Sequence, residues 1–169
     1  MKNLSILIFA LLFIFSGCIS NTITDKSDKI PLEELPEFYT SEMAINNGDY
    51  VELPIGKIVN ENVMADFLEK AEKNEEAYMR KVAYTVEGGA LIYDFYYDNG
   101  EFNVIFDNTR DKYGGTRTIE EKTFKYLTTF ESISGTLYLV VANKETNELL
   151  PEDDIIILKI IGEKDKKDE

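Results

Sequence analysis

The alternation of apolar and polar residues is clearest between residues 81 and 107, where it predicts three consecutive β-strands. Apolar side chains recur at every second position on either side of two turn sequences, Gly88-Gly89 and Asn99-Gly100. Two-residue turns of this composition join antiparallel strands, because they tolerate the positive φ angles that a tight hairpin needs. The pattern therefore predicts an antiparallel β-meander in this part of the chain.

The two turns also predict which residues lie opposite each other. The pairs across Asn99-Gly100 are Tyr97 with Phe102, Phe95 with Val104, and Tyr93 with Phe106, and those across Gly88-Gly89 are Val86 with Leu91, Tyr84 with Tyr93, and Val82 with Phe95. Both registers place the apolar residues of the three strands on one common face of the sheet. The opposite face receives Lys81, Thr85, Asp94, Tyr96, Asn103 and Asp107.

An amphipathic helix is predicted from about Glu61 to Asn74, and it is the natural cover for the apolar face of the meander. Its apolar residues recur at helical spacing: Val63, Met64, Phe67, Leu68 and Ala71. The other predicted elements are a short helix at Ser41–Asn47, a broken edge strand at Val51–Val59, and strands at Glu120–Glu131, Thr136–Ala142 and Ile155–Ile161. The sequence thus predicts an α+β fold, in which an antiparallel β-meander of about five to seven strands carries one main amphipathic helix on one face.

The N-terminus has the layout of a signal peptide. Lys2 precedes Leu4–Phe15, an apolar run of twelve residues, whereas a membrane-spanning helix needs about 20. The sequence "FSGC" follows and resembles a lipobox, in which Cys18 is acylated and becomes the first mature residue. The alternative is an ordinary signal peptide with an incidental cysteine. A diacylglyceryl group on Cys18 carries two chains, which are enough for stable anchoring, so the predicted location is the outer face of the cell membrane.

The predicted domain organisation follows from this start. Residues 1–17 are the signal peptide, 18–40 a flexible tether, 41–162 a single α+β domain and 163–169 a disordered charged tail. The tether begins with the polar stretch "ISNTITDKSDK", which has few large apolar residues to bury. A chain of 169 residues is long enough for one domain with a hydrophobic core.

Charge and composition narrow the functional classes. The chain has 32 acidic and 18 basic residues, a net charge of −14, which argues against nucleic acid as a partner and against electrostatic adhesion to anionic lipid. There is no histidine, the commonest general base and zinc ligand. We predict no metal and no cofactor, and the composition leans against an enzyme.

The stretch "FDNTRDKYGG", Phe106–Gly115, is the candidate binding loop. Its candidate binding residues are Asp107, Asn108, Arg110, Asp111, Lys112 and Tyr113. It lacks the spacing of a calcium loop, and its two basic side chains oppose a bound cation. A wide structural turn, held by side-chain bonds to the local backbone, is the favoured interpretation. Ligand binding is the alternative.

Several segments resemble a family of small lipoproteins from Gram-positive bacteria, known as domain of unknown function 4362. They are "NNGDYVELPIGKIVN", "VAYTVEGGALIYDFYYDNGEF" and "FDNTRDKYGG", and the similarity extends over roughly Ser41 to Ala142. The resemblance implies a lipoprotein with a single domain. It implies no activity, because none is established for the family.

Three functional hypotheses follow. The leading one is a non-enzymatic, membrane-anchored domain that binds a protein, peptide or cell-envelope component. The second is a carboxylate-dependent hydrolase of envelope glycan, in which Asp94 and Asp107 act together near Tyr96. The third is an inhibitor of an external enzyme, which inserts the 106–115 loop into a cationic cleft.

Overall fold

The computed structural model describes residues 29–145, 149 and 153–163. Over these residues the chain forms a six-stranded mixed sheet, a three-stranded antiparallel sheet and two α-helices. The predicted α+β class is therefore confirmed. The signal peptide, Cys18, residues 18–28 of the tether and residues 164–169 of the tail lie outside the described residues, so the expectations for them stay predictions.

The helices and strands have the following bounds. The helices are α1 (Ser41–Asn46) and α2 (Glu61–Glu72), and the strands are β1 (Tyr50–Leu53), β2 (Lys57–Val59), β3 (Ala77–Tyr84), β4 (Ala90–Asp98), β5 (Glu101–Asp107), β6 (Ile119–Phe124), β7 (Tyr126–Glu131), β8 (Thr136–Ala142) and β9 (Ile155–Glu163). The predicted main helix ends slightly early, because Asn74 takes a left-handed backbone with φ of 56° and closes it.

The strand order of the large sheet is β2-β1-β3-β4-β5-β6. Strands β3 to β6 are the antiparallel meander, whereas β1 runs parallel to β3. The segment predicted as one broken edge strand over 51–59 is instead the hairpin β1–β2, whose first strand lies inside the sheet. The structure thus has a mixed sheet and, in its described part, more strands than the predicted five to seven.

One of the two predicted hairpin registers is confirmed and the other is wrong. Across Asn99-Gly100, Phe95 lies opposite Val104, as predicted, and both turn residues have positive φ. Across the other turn, Val82 lies opposite Ile92 rather than Phe95. The loop there is longer than two residues: the Thr85 N–H binds the Gly89 carbonyl at 2.9 Å, and only Gly88 of the glycine pair has positive φ.

This error inverts the two faces of β3. The observed register of β3 differs from the predicted one by an odd number of residues. Every β3 side chain therefore lies on the face opposite to the predicted one. Lys81, predicted on the polar face, lies on the same face as Phe95 and is buried. Val82 lies on the opposite face and is also buried.

The Phe95 face of the large sheet is covered by α2 and by the small sheet. Met64 and Phe67 of α2 pack onto Phe95, with the rings of Phe67 and Phe95 at 6.2 Å in an edge-to-face arrangement. Val141 and Leu158 bring the small sheet into the same core. The prediction that the main helix packs on this face is therefore confirmed.

The opposite face is covered by residues 29–40, which we call the strap. Leu35 and Tyr39 are buried there against Val82 and Ile92. The predicted flexible tether over 18–40 is therefore wrong for its second half. The polar stretch at the start of the tether predicted a flexible linker, but the apolar residues of the strap supply the cover that the second sheet face needs.

The small sheet has the order β7-β8-β9. The predicted single strand over 120–131 is divided at Lys125, where the chain passes from the large sheet into the small one. The Lys125 N–H donates to the carbonyl of Ala142 at 3.2 Å. Ala142 belongs to β8, so this bond already continues the pairing of the small sheet. This change of sheet creates the space between the two sheets that is described below.

Candidate functional site

Asp107, the last residue of β5, has no exposed surface and organises the start of the 106–115 loop. Its Oδ1 accepts hydrogen bonds from the Thr109 backbone N–H at 2.7 Å and from the Thr109 hydroxyl at 2.6 Å. Its Oδ2 forms an ion pair with Arg110. These contacts of the Asp107 carboxylate all stabilise the first turn of the loop.

Arg110 connects this loop to the strap. Its Nε donates to the Pro36 carbonyl at 3.1 Å, and its Nη2 donates to the carbonyls of Leu32 and Leu35, each at 3.0 Å. Its Nη1 binds Asp107. The donors of Arg110, a candidate binding residue in the sequence, are used by the protein's own backbone and by one buried carboxylate.

Asn108 and Asp111 close the rest of the loop. The Asn108 amide donates to the Thr116 carbonyl at 3.0 Å and accepts from the Thr118 N–H at 2.6 Å. Asp111 is buried and accepts from the Tyr113 N–H at 3.1 Å. These contacts support the interpretation of the loop as a structural turn. The residues they concern are Asp107, Asn108, Arg110 and Asp111.

Lys112 and Tyr113 differ from the other predicted residues because they face solvent. The Lys112 ammonium lies 3.7 Å from the centroid of the Phe38 ring and 3.3 Å from Glu37. Tyr113 is 76% exposed. Together with Gly88 and its neighbours they border a cleft of about 240 Å³. These two residues are the part of the predicted loop that a partner can reach.

Asp94 and Asp107 do lie on the same sheet face, in one cavity of about 660 Å³ beneath the strap. Arg80 engages both oxygens of Asp94, with Nε–Oδ1 at 2.6 Å and Nη2–Oδ2 at 2.7 Å. The Tyr78 hydroxyl adds a third bond to Asp94 at 3.0 Å. Arg80 therefore pairs with Asp94, and Arg110 pairs with Asp107. Both arginines also bind backbone carbonyls of the strap, so the two ion pairs connect the sheet to the strap.

Burial and the Asp94 charge act on the groups around this ion pair. They raise the pKa of Tyr78 far above its usual value, with burial as the larger cause. Burial alone lowers the pKa of Arg80, but the hydrogen bond and charge of Asp94 outweigh burial and leave the pKa raised. Tyr78 stays neutral and Arg80 stays charged over the physiological range, so neither group exchanges protons there.

A second cavity, of about 540 Å³, lies between the two sheets and was missed by the sequence analysis. We call it the inter-sheet cavity. Its floor is the part of the Phe95 face that α2 leaves uncovered, and its roof is formed mainly by β9. The lining residues are Glu52, Lys81, Ala83, Tyr93, Val104, Phe106, Glu120, Lys122, Tyr138, Asp154, Ile155, Ile156, Ile157 and Ile160.

A cross-strand row forms the floor of the inter-sheet cavity. Lys81 lies opposite Tyr93, Tyr93 opposite Phe106, and Phe106 opposite Glu120. The rings of Tyr93 and Phe106 stack with centroids 4.7 Å apart, which gives the floor an aromatic centre. Burial, followed by the charge of Glu52, raises the pKa of Tyr93. The floor is apolar in the middle and charged at its two ends.

Ion pairs occupy the ends of this row. Lys81 is buried, and its ammonium lies 3.0 Å from Glu52 and donates to the Leu158 carbonyl at 2.9 Å. At the other end, Lys122 binds Asp154 at 2.9 Å, and this hydrogen bond raises the pKa of Lys122. The inverted register of β3 explains why sequence reasoning missed the site, since it placed Lys81 on the other face.

Two further findings concern the described residues. Among residues 29–145, 149 and 153–163, no group of three or more acidic, cysteine or histidine side chains is arranged to hold a metal ion. In the same ranges, no helix has the length and apolar character to cross a membrane.

Comparison with known proteins identifies the family. The model of a domain of unknown function, DUF4362, matches residues 48–139. The matched span includes the whole large sheet, α2 and the 106–115 loop, whereas the strap and β9 lie outside it. No curated protein and no solved structure matches the chain. Because the match extends over more than half of the 169 residues, the chain belongs to the DUF4362 family.

Proposed function

We propose that the protein is a lipoprotein that is anchored at the outer face of the cell membrane through Cys18 and presents a binding domain to the cell envelope. The observation that carries the anchor is the sequence "FSGC" directly after a twelve-residue apolar run, in a chain with one cysteine. Two acyl chains on that cysteine would hold the protein stably on the bilayer.

The position of the strap supports this arrangement. The first described residue is Lys29, whose ammonium binds Asp49 at 3.1 Å and so fixes the start of the strap to the domain. Residues 19–28 separate it from Cys18. An extended chain spans at most about 3.3–3.6 Å per residue, so the domain lies within roughly 40 Å of the lipidated residue. At that distance the domain remains in the cell-envelope space next to the membrane.

The inter-sheet cavity supports the binding half of the proposal. A volume of about 540 Å³ falls within the range of small-molecule sites, roughly 300–1,000 Å³, which are mostly apolar with a few polar groups. The cleft bordered by Lys112 and Tyr113 adds a second accessible surface. The arginine partners of Asp94 and Asp107 favour a structural role for that pair, and thus a binding domain over a hydrolase.

Cys18→Ser, compared with wild type and with the nearby control Ser20→Ala, tests the anchor. We expect wild type and the control in the membrane fraction, with a mass shift for a diacylglyceryl group on the mature N-terminus. We expect the Cys18→Ser protein in the medium or as an uncleaved precursor. If Cys18→Ser is processed and retained like wild type, the anchor proposal is wrong.

Capture from an envelope extract tests the binding role. The full chain carrying Cys18→Ser is immobilised, and we expect it to retain an envelope component that a denatured sample does not retain. Failure to retain any component would contradict the binding role. Release of soluble fragments from purified envelope glycan would instead support the hydrolase hypothesis, and loss of activity of an added envelope enzyme would support the inhibitor hypothesis.

A further inference from the structure

The inter-sheet cavity combines an apolar middle with charged ends, and carboxylates outnumber lysines among its lining residues. From this arrangement we propose that the cavity binds an amphiphilic amine: a small molecule with an elongated apolar body and a protonated amine at one end. The proposal rests on the binding half of the proposed function and not on the membrane anchor.

The middle of the cavity fits an apolar body. The stacked rings of Tyr93 and Phe106 form the floor, and Ile156, Ile157 and Ile160 of β9 also line the cavity. Ile157 and Ile160 are 40% and 60% exposed, so apolar surface is available to a ligand on the roof as well as on the floor. Burying such surface contributes roughly 25 cal/mol for each Å² removed from water.

Lys81 and Lys122 are each already paired with a carboxylate. The Lys81 ammonium lies 3.0 Å from Glu52 and donates to the carbonyls of Leu158 and Ile157, at 2.9 and 3.3 Å. The two carbonyls accept two of the three ammonium donors, and the Glu52 carboxylate compensates the positive charge. Lys81 therefore offers little uncompensated charge to an anionic ligand.

The carboxylates retain free acceptor capacity. Glu52 Oε2 lies 3.0 Å from the Lys81 ammonium, and the Glu52 side chain is 34% exposed. Glu120 lies 3.9 Å from Lys122 and is 49% exposed. Lys122 is shared between Glu120 and Asp154, so this end carries two negative charges against one positive charge. Across the whole cavity three carboxylates line the wall against two lysines, so a cationic group is favoured over an anionic one, most strongly at the Glu120 end.

The distance between the ends sets the shape of the ligand. Lys81 and Glu120 are separated by three strand-to-strand steps in the row through Tyr93 and Phe106. At about 4.8 Å per step, the two ends lie roughly 14 Å apart. A straight apolar chain or a pair of linked rings spans this distance, with its amine at the Glu52 end or at the Glu120 end.

Isothermal titration calorimetry with decylamine, decanoate and decanol tests the proposal on the full chain carrying Cys18→Ser. The three probes share one alkyl chain and differ in the charge of the head group. We expect decylamine to bind at least about tenfold more tightly than decanoate, since a tenfold change corresponds to 1.4 kcal/mol. Equal binding of the three, or tighter binding of decanoate, would overturn the amine specificity.

Charge variants that keep the size of the side chain locate the head-group contact. We expect Glu52→Gln or Glu120→Gln to weaken decylamine binding by at least about threefold, within the range for partly exposed ion pairs. Glu121→Gln is the matched control, since Glu121 follows Glu120 on the same strand and faces the other side of the sheet. If both cavity variants bind decylamine as tightly as this control does, the proposed contact is wrong.

A cavity-filling variant, Ala83→Phe, separates this proposal from the proposed function. We expect it to abolish decylamine binding while the protein stays folded by circular dichroism. Decylamine binding that survives Ala83→Phe would overturn the cavity as the site. If the variant still captures the same envelope component as wild type, the cavity is not the site of that capture, and the proposed function stands without it.

Discussion

Arg80 and Asp94 form a two-point ion pair across β3 and β4, and each side chain is only 1% exposed. Arg80 also donates to the Ile30 carbonyl at 3.0 Å, so the pair connects the sheet to the strap. Removing one member of a buried pair leaves the other charge without compensation, and this usually costs about 3–5 kcal/mol. The pair thus stabilises both the large sheet and the strap that covers it.

Asp94→Ala should lower the free energy of unfolding by about 3–5 kcal/mol, measured by chemical denaturation. The double variant Arg80→Met, Asp94→Leu should recover much of this loss, because it leaves no isolated charge. Lys73→Ala is the control, since Lys73 forms an exposed ion pair with Glu69 and should change stability little. A loss from Asp94→Ala no larger than that of the control would contradict the buried pair.

Arg110→Ala should release the strap. Its backbone contacts hold the carbonyls of Leu32, Leu35 and Pro36, and their loss should make the strap amides exchange at least about tenfold faster, which corresponds to 1.4 kcal/mol. Hydrogen exchange read by mass spectrometry measures this change. Arg117→Ala is the matched control, because Arg117 is an exposed arginine that also lies between β5 and β6. Equal exchange in the two variants would show that Arg110 does not hold the strap.

Gly89→Ala should destabilise the domain by about 1–3 kcal/mol, the usual range for an overpacked core. A Cβ atom at Gly89 would lie 2.9 Å from the Asp111 Cα atom, and a backbone atom cannot move aside easily. Gly115→Ala should have little effect, since nothing lies within 4 Å of its added Cβ. Thermal unfolding of the two variants compares them directly. Similar melting temperatures would show that Asp111 does not restrict Gly89.

Tyr50 should make the protein sensitive to alkali. Burial, followed by the charges of Glu52 and Glu61, raises the pKa of Tyr50 to about 12, whereas an unfolded tyrosine has a pKa near 10. The unfolded chain therefore loses this proton first. Its contribution to stability is fully present below about pH 10 and is lost as the pH rises from about 10 to 12.

Tyr50→Phe removes this titration and is the test. The free energy of unfolding of the variant should fall less steeply between pH 9 and pH 11 than that of wild type, when both are measured by urea denaturation. Comparison with wild type cancels the titration of lysines and of the other tyrosines. Parallel pH profiles would mean that the Tyr50 hydroxyl ionises equally in the folded and unfolded states.

The two hairpins show which part of the fold the sequence determines locally. Asn99 and Gly100 both adopt positive φ, 51° and 83°, so two adjacent residues are enough to set the register of β4 and β5. At the other turn, the Thr85 hydroxyl accepts the Gly89 N–H at 2.9 Å, and Asp111 packs against Gly89 from a distant loop. No pattern within the hairpin itself reveals that distant contact.

The candidate sites differ from the sequence expectation for a related reason. Arg110 binds backbone carbonyls of the strap, and a carbonyl acceptor leaves no signature in the amino-acid sequence. The inter-sheet cavity depends on the division of one predicted strand at Lys125 and on the true register of β3. The helix, the apolar face of β4 and β5 and the final strand depend on local periodicity, and they were predicted correctly.

The parallel pairing of β1 with β3 has a consequence for the order of folding. The chain must pass through β2 and α2 before these two strands can meet, whereas β4 and β5 are joined by a tight turn. Closing the longer loop costs more entropy and slows the contact. We therefore expect folding to begin in the meander and to end when the β1–β2 hairpin joins β3. Substitutions in that hairpin should then accelerate unfolding more than they slow folding.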